Sequence, residues 1–160
     1  MNIEIRLATV EEAHIVHKLM IEAFEEYRHL EVPSSATDES LDVLVNELKN
    51  GTKKALLCIV NGEPKGSLRF TIKRESIYFS RLSVAPDSRG QGIARALLLW
   101  LENYSNENGL KKMECRVRAS LSKNISLYEN MGYIVTKEEI ITNPNGYPVN
   151  TVEMEKNMAI

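Results

Sequence analysis

The chain has 160 residues, 43% hydrophobic and 26% charged, with a formal net charge of −2. That length suits one domain burying roughly 70% of its unfolded surface, and the near-balance of charge lacks the basic surplus that nucleic-acid binding requires. No apolar run approaches the ~20 residues of a membrane span, no charged-then-apolar leader opens the chain, and Cys58 and Cys115 suit a reducing compartment rather than a disulfide framework, so a cytoplasmic protein without membrane or nucleic-acid partners is expected.

Ile3 to Leu7 alternate apolar and polar side chains and read as a strand. Thr9-Val10-Glu11-Glu12 has capping-box spacing and opens a helix with Ala13, Val16, Met20, Ala23 and Phe24 on one face. After a loop through Pro33-Ser34-Ser35, the residues Leu41, Leu44, Val45 and Leu48 mark a second helix, stopped by Gly51. The period then changes: "KALLCIV" and "KGSLRFTIK" flank Asn61-Gly62, a dipeptide suited to a tight hairpin turn. "SIYFSRLSVAP" is a further strand and delivers the chain to Arg89-Gly90-Gln91-Gly92. A helix starting near Gln91 carries Ala94, Leu97, Leu98, Leu101 and Tyr104 and ends before Gly109. "KKMECRV" is a strand, and "SKNISLYENM" a short helix capped by Ser122 and stopped by Gly132. The tail is two strands joined at Asn143-Pro144-Asn145-Gly146. No repeat or linker divides residues 1–160, which are expected to form a single domain. The order β-α-α-β-β-β-α-β-α-β-β is mixed α/β (α+β), a central mixed sheet of about seven strands flanked by helices; three consecutive strands in the middle exclude a regular βαβ wind.

Glycines at a helix start carry an entropic cost, so bare backbone there must serve a purpose. A helix N-terminus has unpaired N–H groups and about half a positive charge, and both attract phosphate. Gly90 and Gly92 remove side chains that would hold a phosphate away, Ala94 keeps the first turn open, and Arg89 and Arg95 add charge. The residues therefore point to a phosphate or pyrophosphate on the amides of Arg89, Gly90, Gln91, Gly92, Ile93 and Ala94. Ile93-Ala94 stand where a nucleotide triphosphatase loop needs Lys-Ser/Thr, and a dinucleotide fingerprint needs a third glycine within a βαβ repeat. A tight turn without a ligand is the remaining alternative.

"LSVAPDSRGQGIARALL" resembles the acetyl-CoA signature of the GCN5-related N-acetyltransferases (GNAT family), Arg/Gln-x-x-Gly-x-Gly/Ala, met here by Arg89-x-x-Gly92-x-Ala94. The element order and the later "NISLYENMGY" resemble that family as well. The resemblance implies a GNAT-type acyl-CoA N-acyltransferase fold with loop amides on the pyrophosphate of acetyl-CoA. It also implies a bulge at Leu82-Ser83-Val84, splayed from "MECRV", whose backbone bonds the pantetheine arm. Arg95 or Lys123 would reach the other phosphates, with solvated helix charges as the alternative, and Asn124 would bond the pantetheine or cap the helix. The family carries Asn seven residues before the tyrosine and a small residue four before; Leu121 and Asn124 stand there instead.

Acetyl transfer to an amine requires amine deprotonation, oxyanion stabilisation and protonation of the leaving thiolate. The resemblance assigns the last task to Tyr128, a phenol with a pKa of about 10; a core aromatic at helical spacing with Met131 is the structural alternative. The oxyanion is expected on an N–H near Val84. No carboxylate lies between Ile77 and Val84, leaving a water held by Tyr78 or Ser80, or Glu25 or Glu26, as candidate bases. His14, His17 and His29 lack metal-ligand spacing, so no metal is expected. Cys115 reads as strand packing rather than an acyl carrier, hence direct transfer in a ternary complex.

Glu22, Glu25, Glu26, Glu31, Asp38, Glu39, Asp42 and Glu47 share their stretch with only one arginine, Arg28, a field that favours a cationic acceptor. Arg69 and Arg81 would instead greet a carboxylate, with Tyr27 and Tyr147 as rim aromatics. The acceptor is therefore an amine of a small molecule or peptide, unspecified further. A non-catalytic acyl-CoA sensor is the alternative function, and the β-rich tail offers an edge that a homodimer would cover.

Overall fold

The structure, a computed structural model, describes residues 2–26 and 35–158. The elements follow the expected order: β1 (Ile3–Leu7), α1 (Ala13–Phe24), α2 (Leu41–Asn50), β2 (Lys54–Val60), β3 (Glu63–Lys73), β4 (Ser76–Val84), α3 (Ile93–Glu107), β5 (Lys112–Arg118), α4 (Ser122–Asn130), β6 (Ile134–Thr142) and β7 (Pro148–Asn157). The strands hydrogen-bond in the order β1-β2-β3-β4-β5-β7-β6. The β2–β3 and β6–β7 neighbours are antiparallel hairpins, whereas β4 and β5, joined through α3, pair parallel over Ser76–Tyr78 and Lys112–Glu114. A crossover helix is what a parallel pair needs and a two-residue turn cannot supply. Two compact units make up the chain, residues 1–71 with 80–101 and residues 72–79 with 102–160.

In the first unit the capping box forms as its spacing demands. The Thr9 amide donates to Glu12 Oε1 at 3.0 Å, and Arg6 donates to both oxygens of Glu12 at 2.7 Å. A 3-10 turn over Val10–Glu12 precedes α1, which buries Ala13, Val16, Leu19, Met20 and Ala23; Leu19 joins the expected face and Phe24 is only half-buried. The Ser40 hydroxyl caps α2 by accepting the Val43 amide, and Gly51 ends it at φ +77°. Both helices enclose one apolar cluster with Ala55 and Leu57 of β2 and with Ala85. On β3, Gly66 lies against Ile93 and Leu97 of α3 and against Cys58 of β2. Strand β2 is therefore buried on both faces, which explains its unbroken apolar run. The hairpin turn takes Asn61 and Gly62 through φ +51° and +84°, the two left-handed residues its twist requires.

In the second unit β5 alternates: Met113, Cys115 and Val117 are buried, while Lys112, Glu114, Arg116 and Arg118 are half-buried. Buried Glu102 receives Lys156 Nζ at 2.7 Å and the Tyr133 hydroxyl at 3.5 Å. Burial, reinforced by Glu102, pushes the Tyr133 phenol well above its usual range. A charge taken out of water persists only with such partners.

Two helix starts differ from expectation. Helix α3 begins at Ile93 rather than near Gln91, because Gly90 and Gly92 sit at φ +78° and +81°, outside helical space. Helix α4 is preceded by Leu121, whose carbonyl accepts the Asn124 and Ile125 amides; Ser122 is its first helical residue and not its cap.

Arg6 and the Thr9 amide hold the Glu12 carboxyl down to about 2 from an ordinary 4.5. A depressed carboxylate stabilises the fold above its unfolded pKa, and that contribution disappears as pH falls through the folded value. Glu12→Gln should therefore be less stable than wild type at neutral pH in urea unfolding, with the gap closing as pH falls from 4.5 toward 2.

Candidate active site

Strand β4 ends at Val84, and the chain turns at once. The Ala85 amide donates to the Lys65 carbonyl at 2.8 Å, tying the turn to β3, and the Ser88 amide closes a 3-10 turn onto Ala85 at 2.9 Å. Pro86 opens that turn, where its missing N–H costs nothing. Two left-handed glycines follow, and an ideal Cβ built at Gly90 or Gly92 would find no atom of the described residues within 4 Å beyond its chain neighbours. The glycines are thus required by their φ and not by neighbouring bulk, leaving open space over the backbone. The first backbone bond after the loop runs from the Ala96 amide to the Gly92 carbonyl at 3.0 Å. Among the described residues, the amides from Gly90 to Arg95 have no backbone acceptor. A row of donors at the positive end of a 15-residue helix has the chemistry to receive a di-anionic group.

The cradle has a firm back. Ile93 is 1% exposed, and a Cβ on Gly66 would stand 2.5 Å from its Cγ2. Gly66 therefore lets the first residue of α3 seat directly on the β3 backbone. Arg89, Gly90, Gln91, Gly92 and Arg95 are exposed and Ala94 half-buried. The Arg89 guanidinium donates to the Ala23 carbonyl at 3.1 Å and to Glu26 at 3.2 Å. Its charge thus closes the C-terminal turn of α1, which the sequence reading missed.

Along β4, Leu82 and Val84 are half-buried and Ser83 is 1% exposed, its hydroxyl donating to the Arg81 carbonyl at 2.9 Å. Arg81 has φ +54°, so the irregularity of this strand falls one residue before the expected Leu82.

Tyr128 of α4, 7% exposed, forms a three-ring cluster with Phe79 and Tyr133, with centroids 5.7 and 5.9 Å away. Asn124, half-buried, stands one turn earlier on the same face of α4. Lys123 is exposed. Burial raises the Tyr78 phenol despite the nearby Arg116 guanidinium. Burial also pushes the Cys115 thiol up to about 12 and raises Cys58, so neither is a ready thiolate at neutral pH.

Two expectations about charge are corrected. Arg69 cannot greet an acceptor: it is 1% exposed and bonded to Glu39, because a buried guanidinium needs a counter-charge. The acidic stretch is not an unopposed field either. Glu22 pairs with Lys18, Glu26 with Arg89, Glu39 with Arg69 and Arg81, and Glu47 with Lys53. The cations come from elsewhere in the chain, which a window on the sequence does not see. Glu25 is exposed, Ser80 half-buried, and Tyr147 is 47% exposed. His14 is exposed with Nδ1 beside the Glu11 carbonyl, and His17 Nε2 donates to the Glu39 carbonyl at 2.7 Å. Tyr27, Arg28, His29, Glu31, Pro33 and Ser34 lie outside the described residues. Among the described residues no group of three or more metal-binding side chains assembles, and no helix is long and apolar enough to cross a membrane.

The chain belongs to the acetyltransferase (GNAT) family, whose model matches residues 16–133. It is 35% identical over 98 residues to an acetyltransferase of Pectobacterium atrosepticum, covering 60% of this chain and 67% of that protein. It is 30% identical over 103 residues to the catalytic subunit of the N-terminal acetyltransferase B complex of Schizosaccharomyces pombe. That match covers 63% of this chain and only 55% of the yeast protein. The fold matches yncA of Salmonella typhimurium, solved with its cofactor acetyl-CoA, with a TM-score of 0.80 at 18% identity over 100% of this chain and 96% of that one.

Sequence reasoning missed the Gly66 seat, although a glycine inside a strand is itself a sign of close backbone approach. Ile93 is β-branched and stiff, so Gly66→Ala must displace it. Urea unfolding should show a loss of about 1–3 kcal/mol, and titration calorimetry a weaker affinity for acetyl-CoA.

Proposed function

We propose that this protein transfers the acetyl group of acetyl-CoA to a primary amine of a small molecule or peptide, by direct attack in a ternary complex. The observation that carries this reading is the row of amides from Gly90 to Arg95 that have no backbone acceptor among the described residues, opened by two left-handed glycines at the start of α3, in a chain of this family. The donor set suits the pyrophosphate of acetyl-CoA, and no described atom beyond their chain neighbours lies within 4 Å of the Cβ positions of Gly90 and Gly92, which supports an approach to the backbone there. Arg89 contributes its backbone to the cradle, because its guanidinium is engaged with α1. Arg95, exposed on the first turn, is available to a further phosphate. The backbone of Leu82, Ser83 and Val84 would bond the pantetheine arm and supply the N–H for the oxyanion, with Asn124 as a further contact to that arm.

Acetyl-CoA supplies an activated thioester, and the residues of this chain have to bind it and manage one proton. Tyr128 is the donor we assign to the departing thiolate: its phenol carries a proton to give, and the aromatic cluster packs its ring. The raised Cys115 thiol supports transfer without an acyl-cysteine. We place the reaction in the cytoplasm, supported by the two free buried cysteines, and treat residues 1–160 as a single catalytic domain. A homodimer covering the β6 edge, where Ile134 and Ile140 are 60% and 69% exposed, is part of the reading; a monomer in light scattering at micromolar concentration would remove it.

Titration with acetyl-CoA, followed by release of free thiol over a panel of amines, tests the reading as a whole. Binding with release establishes the transfer; binding without release from a broad panel points to an acyl-CoA sensor; no binding overturns the assignment of the loop. Tyr128→Phe should lower kcat by about a hundredfold while leaving acetyl-CoA affinity in place. Unchanged turnover removes Tyr128 from the mechanism.

A further inference from the structure

Glu39, immediately before Ser40 and α2, ties several elements of the first unit to one carboxylate. Its side chain is 12% exposed. Arg69 of β3, 1% exposed, donates to Oε1 at 2.5 Å and to Met20 Sδ of α1 at 2.9 Å. The second oxygen, Oε2, lies 3.7 Å from Arg81 Nε of β4 and accepts no hydrogen bond among the described residues. The backbone of Glu39 is pinned as well, through the His17 ring on its carbonyl. A buried guanidinium without a counter-charge is too costly to persist, so Arg69 dictates where this carboxylate stands. Its free oxygen then faces Arg81.

Arg81 stands at φ +54°, a left-handed residue inside a strand and not a glycine. Such a conformation persists only where the surroundings over-determine it, and such residues cluster at functional sites. The Ser83 hydroxyl bonds the Arg81 carbonyl from the far side of the kink, so the irregularity is held at both ends. A left-handed residue in a strand re-aims the backbone that follows, here Leu82–Val84.

We propose that Glu39 is a positioning residue for acetyl transfer: by holding Arg81 left-handed, it sets the direction of the Leu82–Val84 backbone groups. The inference rests on the reading that this backbone carries the acyl donor. It assigns a mechanistic task to a carboxylate outside the cofactor loop.

Arg81→Ala and Arg81→Gly decide it without stripping Arg69 of its partner. Both remove the contact with Glu39, but only glycine takes positive φ without a steric penalty. Arg81→Ala should lose on the order of tenfold to a hundredfold in kcat/KM for acetyl-CoA, with faster amide exchange at Leu82–Val84 in the ligand-free protein. Arg81→Gly should recover most of both. Glu39→Gln, where it folds, should resemble Arg81→Ala and do less damage in the Arg81→Gly background. Equal losses in the alanine and glycine variants would overturn the proposal, because the guanidinium itself would then matter. Full activity and unchanged exchange in Arg81→Ala would overturn it too. Wild-type protein that acetylates no amine sinks the transfer reading alone, since amide exchange still reports whether Glu39 and Arg81 hold the kink.

Discussion

The seat of Ile93 on the bare backbone of Gly66 is the contact on which the candidate site depends. A helix N-terminus binds an anion only if its amides converge on a fixed point, and a frayed first turn would not hold them there. Here the first residue of α3 is wedged against β3 by a stiff branched side chain, the turn before it is bonded to Lys65, and two left-handed glycines leave the donors uncovered. Each feature serves the next: the glycines open the cradle, Pro86–Ser88 aim it, and Gly66 keeps it from moving.

The charged residues around this cradle are committed to holding backbone rather than meeting ligands. Arg89 closes the end of α1. Arg69 is buried with Glu39, and Lys65 pairs with Asp87 beside the turn. Opening the Arg69–Glu39 pair would leave a buried charge uncompensated, so that pair behaves as a strut, while the more exposed Arg89 and Lys65 contacts contribute less. In the proposed reading, the exposed Arg95 and the backbone amides supply positive character for a phosphate, which would let a chain of net charge −2 present an anion site.

How much could be read in advance differs element by element, and the reason is locality. The Asn61-Gly62 turn, the capping box at Thr9–Glu12 and the Gly51 stop are set by neighbours within a few residues, and all appear where their patterns place them. The start of α3 shifted by two residues because a glycine pair at positive φ must be completed before helical bonding begins. The Ser122 cap failed because Leu121 supplies the carbonyl acceptor at that end. Neither error moved an element.

By itself the sequence determined the element order, the family signature at Arg89–Ala94 and the position of Tyr128 on a short helix, because each depends on spacing along the chain. Only the tertiary structure decided which charges remain available. Glu39 meets Arg69 across 30 residues, and Arg89 meets Glu26 across 63. It also decided that β4 kinks at Arg81, a side chain whose type argues against a left-handed conformation. Long-range ion pairs and the backbone strain they stabilise follow from which strands and helices come together, and no local pattern encodes that.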